Sequence, residues 1–295
     1  MILDNNNNND LDNDFNLTIR QVIEKYGLLH DRKHSKSLGQ HFLCDRSLLN
    51  KIVSFATPFG KDDLIVEVGP GPLGLTRSII EMTSSFMNEI ICIEKDISLK
   101  PLHDNILKFL GSSRLSFMYG DALRVRLCDI AMDRRITIIS NLPYNVGTQL
   151  FLNWMIFDIK IIDKMILMFQ REVADRICAD IGSKDYGRLS VISQVLCDVH
   201  KIFDISNMAF FPAPKVMSSV IRVIPKKDIN INIKKLEKIT GICFQQRRKT
   251  IFSILKKHVD QGILEDTLEK TGIDKLYRPE NISPKQYIEL SEILF

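Results

Sequence analysis

The chain has 295 residues, 45% of them hydrophobic, and 40 Lys and Arg against 36 Asp and Glu give a net charge of +4. That is enough for one large domain with a smaller companion, and the mild basic excess permits a nucleic-acid partner without demanding one. No apolar run is long enough to span a membrane, the Asn-rich N-terminus resembles neither a signal nor a transit peptide, and six scattered cysteines without zinc-ligand or Cys-x-x-Cys spacing predict a reduced, cytoplasmic chain with no metal site.

Residues 1–14, with Asn5 to Asn9 in a row, are low in complexity and are expected to be disordered. Residues 17–30 carry helical spacing (Leu17, Val22, Ile23, Tyr26), so 1–30 reads as a partly disordered extension. Asp31-Arg32-Lys33-His34-Ser35-Lys36-Ser37 is a basic loop, either a solvated linker or a phosphate-contacting arm; most charge runs are solvated, which favours the linker. Leu38-Gly39-Gln40-His41-Phe42-Leu43 precedes Asp45, an N-cap for a helix ending before Pro58. The polar pair Gln40-His41 either decorates a hydrophobic anchor or lines a cleft.

Leu64-Ile65-Val66-Glu67-Val68 reads as a buried strand running into Gly69-Pro70-Gly71-Pro72-Leu73-Gly74 and a helix from Leu75 to about Phe86. Strand, glycine turn and helix in that order suit a nucleotide-binding βα turn, in which backbone approaches the ligand closely and the helix supplies free N–H groups. Ile90–Ile93 is a second strand ending at Glu94, about 20 residues on, where such folds place an acid for ribose hydroxyls. Leu115–Tyr119 is a third, ending in Gly120-Asp121-Ala122, where Asp121 either caps a turn or accepts from an adenine amino group. Ile136–Ser140 is a fourth, closing on Asn141-Leu142-Pro143-Tyr144. Pro143 fixes its own φ and keeps Leu142 out of the helical region, so the chain leaves the strand in a set direction. An amide and an aromatic ring there can hold the edge and the face of a nucleobase.

A helix over 148–157 contains Trp154, a core residue by expectation, and Lys164–Phe169 is a fifth strand. Gln170–Ile177 and the stretch from Tyr186 are helical, and Val199–Ile205 and Val216–Ile224 are strands. Between those two strands, Phe210-Phe211-Pro212-Ala213-Pro214 predicts a stiff loop, with Phe211 in the core and Phe210 stacking on a base opposite Tyr144. From about residue 229 the pattern is helical. Phe244–Thr250 places Arg247, Arg248 and Lys249 on a helix that continues to Lys256 and Lys257, a solvated surface or a contact to RNA phosphates.

These stretches in this order resemble the small-subunit ribosomal RNA adenine dimethyltransferases of the KsgA/RsmA type. The likeness rests on Gly-Gln-His-Phe-Leu, Val-Glu-Val-Gly-Pro-Gly, Glu94, Gly-Asp-Ala, Asn-Leu-Pro-Tyr-Asn, Gln170-Arg171-Glu172-Val173, Tyr-Gly-Arg-Leu-Ser-Val, Phe-x-Pro-x-Pro-Lys-Val, Gln-Arg-Arg-Lys-Thr and Asn281-Ile-Ser-Pro-Lys-Gln-Tyr287. The resemblance implies an α/β, Rossmann-like S-adenosylmethionine (SAM) methyltransferase domain over 31–226 and a small helical RNA-contacting domain over 227–295. It implies N6,N6-dimethylation of two adjacent adenosines near the 3′ end of small-subunit ribosomal RNA, in an immature 30S particle, by a cytoplasmic monomer with no membrane partner. Carried over, His41, Leu43, Gly69, Gly71, Glu94, Asp121, Ala122 and Asn141 would line the SAM site. Asn141, Leu142, Pro143, Tyr144 and Phe210 would hold the target base, and Arg247, Arg248 and Lys249 the RNA. His41 departs from the pattern, which commonly has Asn there. Other classes remain open: a nicotinamide-dependent oxidoreductase shares the glycine turn and Glu94 but has no use for Asn-Leu-Pro-Tyr. A large-subunit RNA methyltransferase of the antibiotic-resistance type shares much of the domain, and an assembly factor would need binding more than chemistry.

Overall fold

The computed structural model describes residues 14–28, 40–83, 88–110, 114–227 and 230–295. The Asn-rich run and the basic loop at 31–37 lie outside the described residues. Two compact units divide the chain: Met1–Arg171 with Ile202–Val223, and Glu172–Lys201 with Ile224–Phe295.

The first unit is built on the predicted strand runs. After helix α1 (Ile19–Lys25), strand β1 (Phe42–Leu43) and helix α2 (Arg46–Ser54) come β2 (Leu64–Val68), α3 (Gly74–Met82), β3 (Ile90–Glu94), α4 (Lys100–Leu110), β4 (Leu115–Tyr119), α5 (Leu127–Ala131), β5 (Ile136–Asn141), α6 (Gly147–Asn153) and β6 (Ile162–Gln170). Every residue of β2 and β3 is buried, as expected of apolar runs in a parallel sheet covered on both faces. The chain then runs through α7 (Arg171–Ile177), α8 (Arg188–Leu196), β7 (Cys197–Ile205), β8 (Phe210–Phe211) and β9 (Ser218–Pro225). The sheet order is β4-β3-β2-β5-β6-β9-β7. The pairs β2–β3, β3–β4, β2–β5 and β5–β6 are parallel, and β9 pairs antiparallel with β6. After β2 the chain builds β3 and β4 on one side, then crosses to build β5 on the other. That reversal opens a crevice at the carboxyl ends of the strands, where ligands of open α/β sheets bind. The antiparallel β9 departs from the 3-2-1-4-5-6 parallel order of dinucleotide-binding sheets.

A second sheet lay beyond sequence patterning. β1 and β8 form a two-stranded antiparallel ribbon with Phe42 opposite Phe211 and Leu43 opposite Phe210. Asp45 caps α2 as expected, its carboxylate accepting from the N–H groups of Ser47 and Leu48.

Residues 14–28 form an ordered part of the first unit. Thr18 and Gln21 make a capping box at the start of α1, and Ile19, Val22 and Ile23 are buried. Asp14, 1% exposed, accepts from Lys25 Nζ (2.6 Å) and Tyr26 Oη (2.5 Å). Arg77 on α3 donates to the carbonyls of Asp14 (2.8 Å) and Leu17 (2.7 Å).

The second unit contains α9 (Ile233–Gln245), α10 (Ile251–Leu255), α11 (Gln261–Lys270) and α12 (Pro284–Leu294). Its centre is aromatic: the Phe244 ring lies 6.2 Å from that of Tyr186 and 5.8 Å from that of Tyr287. Each buried phenol donates to a carbonyl, Tyr186 to Ile282 (3.0 Å) and Tyr287 to Pro279 (2.9 Å). Tyr186 and α8 thus belong with these helices, although their sequence precedes the boundary expected at residue 227. The polypeptide passes from one unit to the other after Arg171, within β7 and within β9 rather than at a single linker.

Asp14→Ala removes the buried carboxylate that accepts from Lys25 and Tyr26. It is expected to lower stability by about 1–3 kcal/mol, measured by urea unfolding with m unchanged.

Candidate active site

A cavity with about 880 Å³ of empty space, counting its open mouth, lies in the first unit at the ends of β2 to β5. The loop after each strand contributes to its wall.

The glycine turn follows β2. Gly69 and Gly71 have φ of +72° and +52°, conformations that L side chains rarely adopt. A Cβ on Gly71 would also sit 2.9 Å from the Phe42 ring. Glu94 closes β3 and is 6% exposed. Its Oε1 accepts from Asp96 N–H (2.8 Å) and its Oε2 from Gly71 N–H (3.2 Å). Burial pushes its pKa above the ordinary carboxylate value. Asp121 follows β4, accepting from Lys95 Nζ (2.8 Å) and Leu123 N–H (3.0 Å). The bond from Lys95 is the main reason its pKa is lowered.

At the end of β5, Asn141 Nδ2 donates to the His41 carbonyl (3.2 Å). The Tyr144 ring stacks on His41 at a centroid distance of 5.5 Å, and its hydroxyl pairs with buried Ser218 Oγ at 2.6 Å. His41 Nδ1 lies 2.8 Å from the Pro212 carbonyl. A carbonyl only accepts, so Nδ1 is the donor. His41 therefore sits between Tyr144, Asn141 and the loop after β8.

The structure thus gathers His41, Gly69, Gly71, Glu94, Asp121, Ala122, Asn141, Leu142, Pro143 and Tyr144 around one cavity. Several expectations are corrected. Phe210 is 2% exposed and packs in the core with Leu43, so it offers no ring face opposite Tyr144. Phe211, expected in the core, is half-buried instead, with Arg20 5.2 Å from its ring centroid. Alternation in β8 sends the first ring into the main core and the second to the opposite face, where it packs against the smaller cluster of Ile19, Ile23 and Phe42. Leu43 likewise points its side chain into the core and is absent from the cavity wall. In the second unit, Arg247, Arg248 and Lys249 are exposed but not helical. They occupy the turn between α9 and α10, because Thr250 caps a new helix by accepting from Ser253 N–H. Lys256 and Lys257 lie past the end of that second helix.

Sequence reasoning missed Ser218, Glu67 and His103. Glu67 sits within β2, wholly buried, and accepts from Thr76 Oγ1 at 2.6 Å. Burial raises its pKa to about 8, which favours the protonated acid near neutral pH.

The sequence profile described as "Ribosomal RNA adenine dimethylase" matches residues 31–295. The chain belongs to the ribosomal RNA adenine dimethylase family. It is 40% identical over 258 residues to a Caulobacter vibrioides protein named "Ribosomal RNA small subunit methyltransferase A", covering 87% of this chain and 95% of that one. A protein of the same name from Wolbachia pipientis is 40% identical over 265 residues, covering 88% and 96%. Among solved structures, a dimethyladenosine transferase from Plasmodium falciparum has the same fold (TM-score 0.72, 23% identity, 84% of this chain and 95% of that one). So does the 23S ribosomal RNA methyltransferase ErmE (TM-score 0.66, 21% identity, 86% and 99%).

Two outcomes follow for this adenine dimethylase. Between its ordinary value of 4.5 and about 8, Glu67 holds a proton when folded that it releases when unfolded, so its contribution to stability falls as pH rises through that window. Glu67→Gln is expected to flatten the fall, read from melting temperatures between about pH 5 and about pH 8. Gly71→Ala combines a positive φ with a clash against Phe42 and is expected to cost about 1–3 kcal/mol, measured by chemical unfolding.

Proposed function

We propose that this cavity brings the methyl group of SAM together with an adenine N6 held at Asn141-Leu142-Pro143-Tyr144. Membership of the family makes the chain a SAM-dependent ribosomal RNA adenine dimethyltransferase, and the roles of individual residues are the proposal.

The observation that carries it is the bond from Asn141 Nδ2 to the His41 carbonyl. It commits the amide nitrogen to the protein and leaves Oδ1 as the acceptor for a substrate. With the Leu142 carbonyl, Oδ1 offers two acceptors for the two N–H bonds of an adenine amino group. Accepting both favours a pyramidal nitrogen, whose lone pair is then less delocalised into the ring. Tyr144, pinned by Ser218 and backed by His41, is placed to stack on the base, worth roughly 1–3 kcal/mol. The attacking nitrogen becomes cationic and loses its proton afterwards, so no strong base is needed, and rate enhancement rests chiefly on positioning. The base must leave its stack to enter the cavity, which favours a loop or partly opened RNA.

The residues present fit the cofactor. Glu94 can accept from vicinal ribose hydroxyls beside its backbone bonds, and Asp121 can accept from an adenine amino group. His41, Gly69, Gly71 and Ala122 complete that side of the wall. Gln40, on the same wall, carries a buried Oε1 with no donor among the described residues, an acceptor left to be satisfied. When bound, SAM supplies a sulfonium-activated methyl group.

The names of the relatives support small-subunit ribosomal RNA as the substrate. By this reading the target is two adjacent adenosines near its 3′ end, in an immature 30S particle, and the enzyme acts as a cytoplasmic monomer. The exposed cations Arg247, Arg248 and Lys249 would neutralise RNA phosphates, which adds affinity without reading sequence. Among the described residues no helix is long and apolar enough to cross a membrane.

The test is incubation with labelled SAM and immature small subunits, followed by mass mapping of the RNA. Two adjacent dimethyladenosines near the 3′ end are expected. Asn141→Ala should lower transfer about a hundredfold or more while SAM still binds by calorimetry. Wild-type turnover in that variant would sink the assignment.

A further inference from the structure

Gly71 is held from both ends. Its N–H donates to Glu94 Oε2 (3.2 Å), and its carbonyl accepts from His103 Nε2 (3.0 Å). His103 lies on α4, wholly buried, with its ring stacked on Phe117 at 4.2 Å and 11°. Its other nitrogen, Nδ1, is 2.9 Å from Tyr119 Oη.

These partners fix the ring's protonation. The Gly71 carbonyl can only accept, so Nε2 carries hydrogen. Burial pushes the pKa of the imidazole down to about 4, so near neutrality the ring is uncharged and Nδ1 is a bare acceptor. Tyr119 Oη then donates to it. Gly71 lies in the turn after β2 and Tyr119 ends β4. Between them runs β3, which ends at Glu94. One buried ring therefore ties together the turns on both sides of the Glu94 carboxyl, yet His103 does not line the cavity.

We propose that His103 is a positioning residue for cofactor binding: by donating to the Gly71 carbonyl it sets the glycine turn so that the Gly71 N–H holds Glu94 in the orientation that receives the ribose. This rests on the reading of Glu94 as the ribose acceptor. His103 fills space as well as donating, and the test must separate those roles. A Gln side chain carries its amide nitrogen about as far from the backbone as Nε2. An Asn side chain reaches only as far as Nδ1. Both are polar and smaller than imidazole, but only Gln can keep the donor to Gly71.

The experiment measures SAM affinity by calorimetry, steady-state kinetics and melting temperature for wild type, His103→Gln and His103→Asn. In His103→Asn the Kd and KM for SAM should rise about fivefold to tenfold, as for one lost hydrogen bond, with kcat at saturating SAM unchanged. In His103→Gln they should stay within about twofold of wild type, the size of a residual geometric mismatch. Equal SAM affinity in both variants, or a loss confined to kcat, would overturn the proposal. Nitrogen NMR of the wild-type imidazole gives a check that needs no variant: the Nε2–H tautomer is expected, and Nδ1–H would overturn the clamp. Wild-type protein that fails to bind SAM while showing the Nε2–H tautomer would refute the ribose reading of Glu94 rather than the geometry at Gly71.

Discussion

The site depends on how β2 and β5 part company. Their backbones are paired from Leu64 and Ile136 to Val66 and Ile138. Two residues further on, the Val68 carbonyl is taken by the Ser140 hydroxyl at 2.6 Å. That buried side-chain bond holds the strands together where the chain must turn two ways, into glycines on one side and into Asn-Leu-Pro-Tyr on the other. A parallel sheet with its strand order reversed cannot avoid a crevice at that point. What makes this crevice specific is that its two lips carry different chemistry. One offers backbone and carboxylates, suited to a sugar and an amino group. The other offers an oriented amide and an aromatic face.

Buried strands were legible because each is a short apolar run, often β-branched, ended by a turn residue. β2, β3, β4 and β5 begin and end within a residue or so of where the pattern put them. The placement of the candidate residues at strand ends was legible for the same reason, since sheet topology converts "end of a strand" into "mouth of the crevice". The ribbon of β1 and β8 was not legible. Its strands have two residues each, too few for any periodicity, and their pairing joins segments far apart in sequence. Which of two adjacent phenylalanines faces inward depends on that register, so Phe210 and Phe211 were assigned the wrong way round. His103 had no signature at all: a single imidazole on an amphipathic helix gains meaning only from the carbonyl and phenol that converge on it.

The break after Gln245 shows a different limit. The stretch Gln246–Thr250 has no glycine or proline, and mixed polarity over this run reads as a continuing helix face. The Thr250 hydroxyl, accepting from Ser253 N–H, outcompetes helix continuation locally. As a result the three adjacent cations lie on a turn, where their spacing is set by extended or turn backbone rather than by helical rise. A geometric match to successive phosphates would therefore differ from that of a helix-borne stripe.

The N-terminal helix separates two notions of a boundary. Family likeness begins at residue 31, yet Val22 and Ile23 before it are core residues and Arg77 is anchored on backbone at Asp14 and Leu17. A chain cut where the likeness starts would bare an apolar groove beside α3 and leave a buried guanidinium without its carbonyl acceptors. Such a surface invites self-association and recognition by quality-control machinery. The smallest piece that resembles its relatives is thus smaller than the smallest piece that can be expected to stay soluble, and a sequence match alone would set the cut in the wrong place.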